Sequence, residues 1–212
     1  MLSNFDKSSI NTLFFQIMLV AINTFIFLLL SFSLQGLMSF IAPFCIYWLL
    51  LIISFFYLKS NQKIISSFQE LFKKSQNALA SITGYIPAIL VLAVTIIPLT
   101  NELNFRLLTI AIVIGLINGF LEEVFWRGSI YNIKNKSVLI LSTVLFALNH
   151  CGFLFLNIKY QGGAANLIGG PLLMGFIWLY AAKKNRSLTH VIIAHQIVNI
   201  FAFYSTFIIN AF

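Results

Sequence analysis

Hydrophobic residues dominate the chain in long continuous runs, broken by short polar stretches. The runs fall at about residues 12–33, 37–58, 82–99, 105–131, 137–156, 169–182 and 188–209. Most are close to the roughly 20 residues an α-helix needs to cross the hydrocarbon core of a bilayer. The sixth is short, and Pro171 suits a helix start, where its missing N–H has no partner to lose. Two-residue alternation, the mark of a membrane barrel strand, is absent from these runs. The pattern predicts an all-α, polytopic transmembrane helix bundle of about seven spans. The first run, Thr12 to Ser33, is too long for a signal-peptide core and is expected to stay as an anchor. Between the second and third runs, "KIISSFQELFKK" places Ile64, Ile65, Phe68, Leu71 and Phe72 at helical spacing. Two readings fit this segment: an amphipathic helix on the inner membrane surface, or a loop helix packed on the bundle.

Composition agrees with a lipid solvent. Sixty per cent of the 212 residues are hydrophobic and 8% are charged, with a mean hydropathy of +0.96, whereas a soluble domain carries about 25% charged residues. A net charge of +8 invites a nucleic-acid reading. The basic residues form no patch, however, so that class is excluded. They mark topology instead. With the amino terminus in the cytoplasm, eleven of the thirteen lysines and arginines lie on the inner side, leaving Arg106 and Lys159 outside. That asymmetry predicts a cytoplasmic amino terminus and an external carboxyl terminus. Cys45 and Cys151 form neither a disulfide framework nor a C-x-x-C metal motif.

Ionisable groups inside a membrane are costly, and each one raises a functional question. Here they are Glu122, Glu123, His150, His190 and His195, all in the last four runs. Glu123 and Arg127 are four residues apart and can pair across one helical turn. Glu122 points off that face and is expected to stay free, as a general base or a metal ligand. An interfacial pair snorkelling beside Trp126 would account for the same residues. Gly115 and Gly119 form a G-x-x-x-G step that lets another helix approach on the acidic side. His150 closes "FALNH", where Asn149 could serve it as a packing partner. His195 and Asn199 share one face of the last run, and His190 is rotated from His195 by about 140°. Glu, His, His and Asn drawn from three helices are the parts of a water-activating hydrolytic site; interhelical hydrogen bonding is the other use of such amides.

"EEVFWRG", "FALNH" and "HQIVN", in that order, match E-E-x-x-x-R, F-x-x-x-H and H-x-x-x-N. In these motifs the chain resembles the CPBP intramembrane protease family, which includes CAAX prenyl endopeptidases and bacteriocin self-immunity proteins. The likeness extends over about residues 85–205 and includes "GPLLMGFIWLYAAKKNRSLTHVIIAHQIVN". It implies that Glu122 activates water, with His150 as its partner or a metal ligand. Glu123 and Arg127 would be the supporting pair, and His195 and Asn199 would stabilise an oxyanion or bind metal. Glu122, His150 and His195 would suffice for zinc, although the sequence has no H-E-x-x-H helix; a metal-free glutamate mechanism is the alternative.

These readings converge on an intramembrane endopeptidase acting on a membrane-associated peptide or protein, in a compact, bacterial member of the family resident in the plasma membrane. Residues 1–80 would be accessory transmembrane helices with a cytoplasmic amphipathic segment, and residues 81–212 the protease-like core. The alternative function is a catalytically silent scaffold or immunity protein that binds a peptide or a membrane partner.

Overall fold

The computed structural model describes residues 6–62, 68–99 and 103–212. Seven α-helices follow one another: α1 (Lys7–Ser31), α2 (Gly36–Gln62), α3 (Ala78–Leu99), α4 (Phe105–Trp126), α5 (Lys136–Leu148), α6 (Gly163–Asn185) and α7 (Thr189–Ile209). No strand occurs among the described residues. Among the described residues, counting α5 together with the 3-10 turn that extends it, seven helical segments are long and apolar enough to cross a membrane. The protein is an all-α, integral, multi-pass membrane bundle. Large apolar side chains such as Phe14, Ile53, Leu79 and Leu173 stand exposed around it, as lipid-facing residues do.

Several helix ends depart from the hydropathy runs for identifiable reasons. Helix α1 starts five residues early because Asp6 caps it, accepting a 2.7 Å bond from the Ser9 amide. Its buried stripe is largely polar, with Ser9, Thr12, Gln16 and Asn23 facing inward. A hydropathy count therefore misses the first turns. Helix α6 begins at Gly163, so Pro171 lies inside the helix and not at its start. Its missing N–H costs one backbone bond there; Gly169 and Gly170, just before it, add no side-chain bulk. Helix α5 ends at Leu148 and tightens into a 3-10 turn over Asn149–Phe155, which carries His150.

The amphipathic segment resolves differently from a surface helix. Ile64 and Ile65 lie outside the described residues. Phe68–Phe72 forms a short 3-10 turn with Leu71 fully buried. The Leu71 carbonyl accepts the Leu188 amide at 2.7 Å, and the Phe72 ring stacks 6.2 Å from Phe120. This turn is packed on the bundle.

Helix α7 packs closely against α4. A Cβ added at Gly119 would stand 2.8 Å from the Gln196 backbone nitrogen, and one at Gly115 would stand 2.8 Å from that of Ile200. The G-x-x-x-G step thus brings α7 in to near backbone contact, and the Gln196 amide ties it to the Leu116 carbonyl at 2.9 Å. Near the carboxyl ends of α1 and α7 and the amino end of α2, Phe27, Phe40, Phe44, Phe153, Phe203 and Phe207 pack ring against ring. Phe27 and Phe153, for example, have centroids 4.8 Å apart. On α2 this aromatic layer begins at Phe44, one turn before Tyr47, and closes the bundle on that side.

Candidate active site

Glu122 and Glu123 lie in the last turn of α4, and both are buried. Glu123 Oε1 is 3.0 Å from Arg127 Nη1, as the i, i+4 spacing allows. The guanidinium lies flat against aromatic surface, 4.0 Å from the Phe146 ring centroid and 5.7 Å from that of Trp178. Cation–π attraction adds to the ion pair at this buried position.

His195 joins the two glutamates. Its Nδ1 is 2.8 Å from Glu123 Oε1, and its Nε2 is 3.4 Å from Glu122 Oε2. Trp178 stacks on the imidazole at 4.3 Å, and the indole is anchored by a 3.0 Å bond from its Nε1–H to the Gly84 carbonyl. The sequence paired Glu123 with Arg127 and grouped His195 with Glu122 and His150 as a possible zinc set. Instead, the imidazole makes its shorter contact to Glu123.

Glu122 is not free. Its Oε1 accepts from the Tyr47 hydroxyl at 2.8 Å, and its Oε2 accepts from Asn118 Nδ2 at 2.9 Å. Neither residue was singled out by the sequence. Asn118 sits four residues before Glu122, and the helical spacing could have found it. Tyr47 comes from α2, far away in the chain, and no local pattern points to it. The tyrosine hydroxyl accepts in turn from Trp126 Nε1 at 3.2 Å, and Asn118 Oδ1 accepts from Trp48 Nε1 at 3.0 Å.

His150 lies beside this cluster without a hydrogen bond to it. Its Nδ1 is 3.0 Å from the Phe146 carbonyl oxygen, and the Phe146 ring separates the two histidines, 5.2 Å from His150 and 5.9 Å from His195. It is within electrostatic range of Glu122, Arg127 and His195. Asn149 does not serve His150; its Oδ1 accepts from Asn23 of α1 at 3.1 Å. Asn199 is buried on the His195 face of α7, and its Nδ2 has no protein partner. His190 stands apart, its Nδ1 3.2 Å from the Tyr85 hydroxyl.

The family model "Type II CAAX prenyl endopeptidase Rce1-like" matches residues 104–201. Over these residues, a little under half of the chain, the protein is similar to the CPBP/CAAX protease family. No curated protein and no solved structure matches the chain. The matched segment contains all of Glu122, Glu123, Arg127, His150, His195 and Asn199, and the likeness supports an intramembrane protease of CAAX type, a class that acts on a peptide or protein.

This likeness raises the question of zinc. Among the described residues, no three His, Cys, Asp or Glu side chains are disposed to share an ion. Both Glu122 oxygens already accept hydrogen bonds, His195 Nδ1 is on Glu123, and His150 Nδ1 is on a carbonyl. As placed, Glu122, His150 and His195 do not fit a three-donor zinc site.

Proposed function

We propose that the chain is an intramembrane endopeptidase that cleaves a membrane-associated peptide or protein, with Glu122 as the base that activates water. One observation carries this reading: the buried cluster of Glu122, His195, Glu123 and Arg127. Its formal charge cancels when a single proton is shared between Glu122 and His195, since Arg127 offsets only one of the two carboxylates. A carboxylate and an imidazole sharing one proton, shielded from bulk water, are the equipment of general acid–base catalysis.

The reaction follows from those groups. With the shared proton on His195, the Glu122 carboxylate takes a proton from water as the water oxygen bonds to the scissile carbonyl carbon. The carbonyl oxygen gains the negative charge and accepts from Asn199 Nδ2, which has no protein partner, while His150, whose Nδ1–H bonds the Phe146 carbonyl, offers Nε2 as an acceptor that helps orient the attacking water. The C–N bond then breaks, and the proton taken up by Glu122 passes to the leaving amine. Glu123 keeps the imidazole oriented, and Arg127 holds Glu123. A metal-assisted form would need Glu122, His150 and His195 to leave the hydrogen bonds they make here, and no step here runs through zinc.

We read residues 81–212 as the protease core and 1–80 as the helices that precede it. With seven spans in alternation, the charge asymmetry supports a cytoplasmic amino terminus, an external carboxyl terminus and a site nearer the inner leaflet; the compact chain is read as a bacterial plasma-membrane protein. The test is turnover in reconstituted vesicles. Glu122→Gln is expected to abolish cleavage while the protein stays folded, and wild-type cleavage by that variant overturns the assignment. Chelator treatment of the wild-type chain decides between the metal-free and zinc-assisted forms.

A further inference from the structure

The Glu122 carboxylate has reason to move. Rotatable bonds link the carboxylate to the backbone, and Arg127, four residues beyond Glu123, is near enough to attract it. A base that swings into an ion pair with Arg127 loses both its position and its readiness to take a proton. Something must hold it away, and the holding groups come from α2.

Tyr47 and Trp48 are adjacent on α2, whereas Asn118, Glu122 and Trp126 recur every four residues along one face of α4. The two sets interlock. Tyr47 donates to Glu122 Oε1 at 2.8 Å and accepts from Trp126 at 3.2 Å. Trp48 donates to Asn118 at 3.0 Å, and Asn118 donates to Glu122 Oε2 at 2.9 Å. Each carboxylate oxygen therefore has its own donor, and each donor is fixed by an indole N–H. Tyr47 is 1% exposed and Asn118 3%, so water does not compete for either bond. A tyrosine hydroxyl is rigidly mounted on its ring, which makes it a better fixed donor than a flexible chain.

We propose that Tyr47, which lies outside the family-matched residues 104–201, is a positioning residue that holds the Glu122 carboxylate in place for catalysis, with Asn118 and Trp48 completing the clamp. Helix α2 is then part of the catalytic apparatus and not an accessory to it. The arrangement also gives α2 a chemical reason to pack where it does, since Tyr47 and Trp48 match polar groups on α4 that would otherwise be orphaned in the membrane.

The inference rests on Glu122 being the base, and the experiment separates the two claims. The full chain and its Tyr47→Phe, Trp48→Phe and Glu122→Gln variants are placed in vesicles with a pool of lipid-anchored, quenched fluorescent peptides, and the best-cleaved peptide is followed. Infrared difference spectra between the wild type and Glu122→Gln identify the Glu122 carboxyl band. Tyr47→Phe keeps the ring, and is expected to leave KM and thermal stability nearly unchanged, lower kcat about 100-fold and move the Glu122 band. Trp48→Phe, which loosens Asn118 without removing it, is expected to act the same way more weakly, and it carries the test if Tyr47→Phe fails to fold. A silent Glu122→Gln together with a Tyr47→Phe of wild-type kcat and unmoved band overturns the positioning role and leaves the base intact. An active Glu122→Gln overturns the base, and with it any catalytic role for Tyr47.

Discussion

The close approach of α7 to α4 makes Gly119 a sensitive control on the site. An alanine there puts its Cβ 2.8 Å from the Gln196 backbone nitrogen, and ordinary contact begins at 3.4 Å. The contact is with backbone, so no side chain can swing away, and the helices must part by about 0.6 Å (3.4 Å less 2.8 Å). His195 is the residue next to Gln196. If the shift falls along its bond to Glu123, the Nδ1–Oε1 distance grows from 2.8 Å to about 3.4 Å, beyond a useful hydrogen bond. The Nε2–Glu122 distance grows from 3.4 Å by a similar amount. A misplacement approaching 1 Å costs on the order of 100-fold in rate, and overpacking costs about 1–3 kcal/mol in stability. Gly119→Ala is therefore expected to lower turnover of a reconstituted peptide substrate by tens of times or more, while the chain still inserts and folds. Gly169→Ala is the control: nothing lies within 4 Å of its added Cβ, and it should turn over at the wild-type rate. Wild-type turnover in Gly119→Ala would refute the claim that α7 positions His195 through this contact.

Other substitutions separate the roles within the cluster. Arg127→Met leaves Glu123 buried with only His195 beside it; removing one partner of a buried pair costs about 3–5 kcal/mol, which thermal unfolding in nanodiscs will show, and activity should fall with it. Glu123→Gln should disorder the site and lower stability, whereas Glu122→Gln should stop turnover at nearly unchanged stability, and the two are compared by melting and cleavage assays on the same preparations. Asn199→Ala removes an amide without a protein partner, so stability should hold while kcat falls about 100-fold, the usual cost of one oxyanion donor.

Much of the bundle is legible in the hydropathy pattern because lipid imposes one rule on every span. The errors fall where a helix end or a buried stripe is polar. Helix α1 begins early behind Asp6 and hides Ser9, Thr12 and Gln16 against the bundle, and Pro171 is carried inside α6. Spacing along a single helix also reads reliably, since Glu123 and Arg127 meet one turn apart and the Gly115–Gly119 step receives α7. Contacts between distant helices do not read from spacing. The sequence left Glu122 unengaged because its two donors are Asn118, overlooked as a neutral amide, and Tyr47, seventy-five residues away on α2. His195 sits between both glutamates because α7 crosses α4 at the glycine step, and the faces of isolated helices do not give that crossing.

The central claim is that Glu122 performs chemistry within a proteolytic site. Comparative peptidomics of membranes from cells carrying the native chain or Glu122→Gln tests it most directly. The expected result is a defined set of peptides present with the native chain and missing with the variant, their uncut precursors accumulating in its place. Identical peptide profiles from two chains present at equal levels would contradict the account.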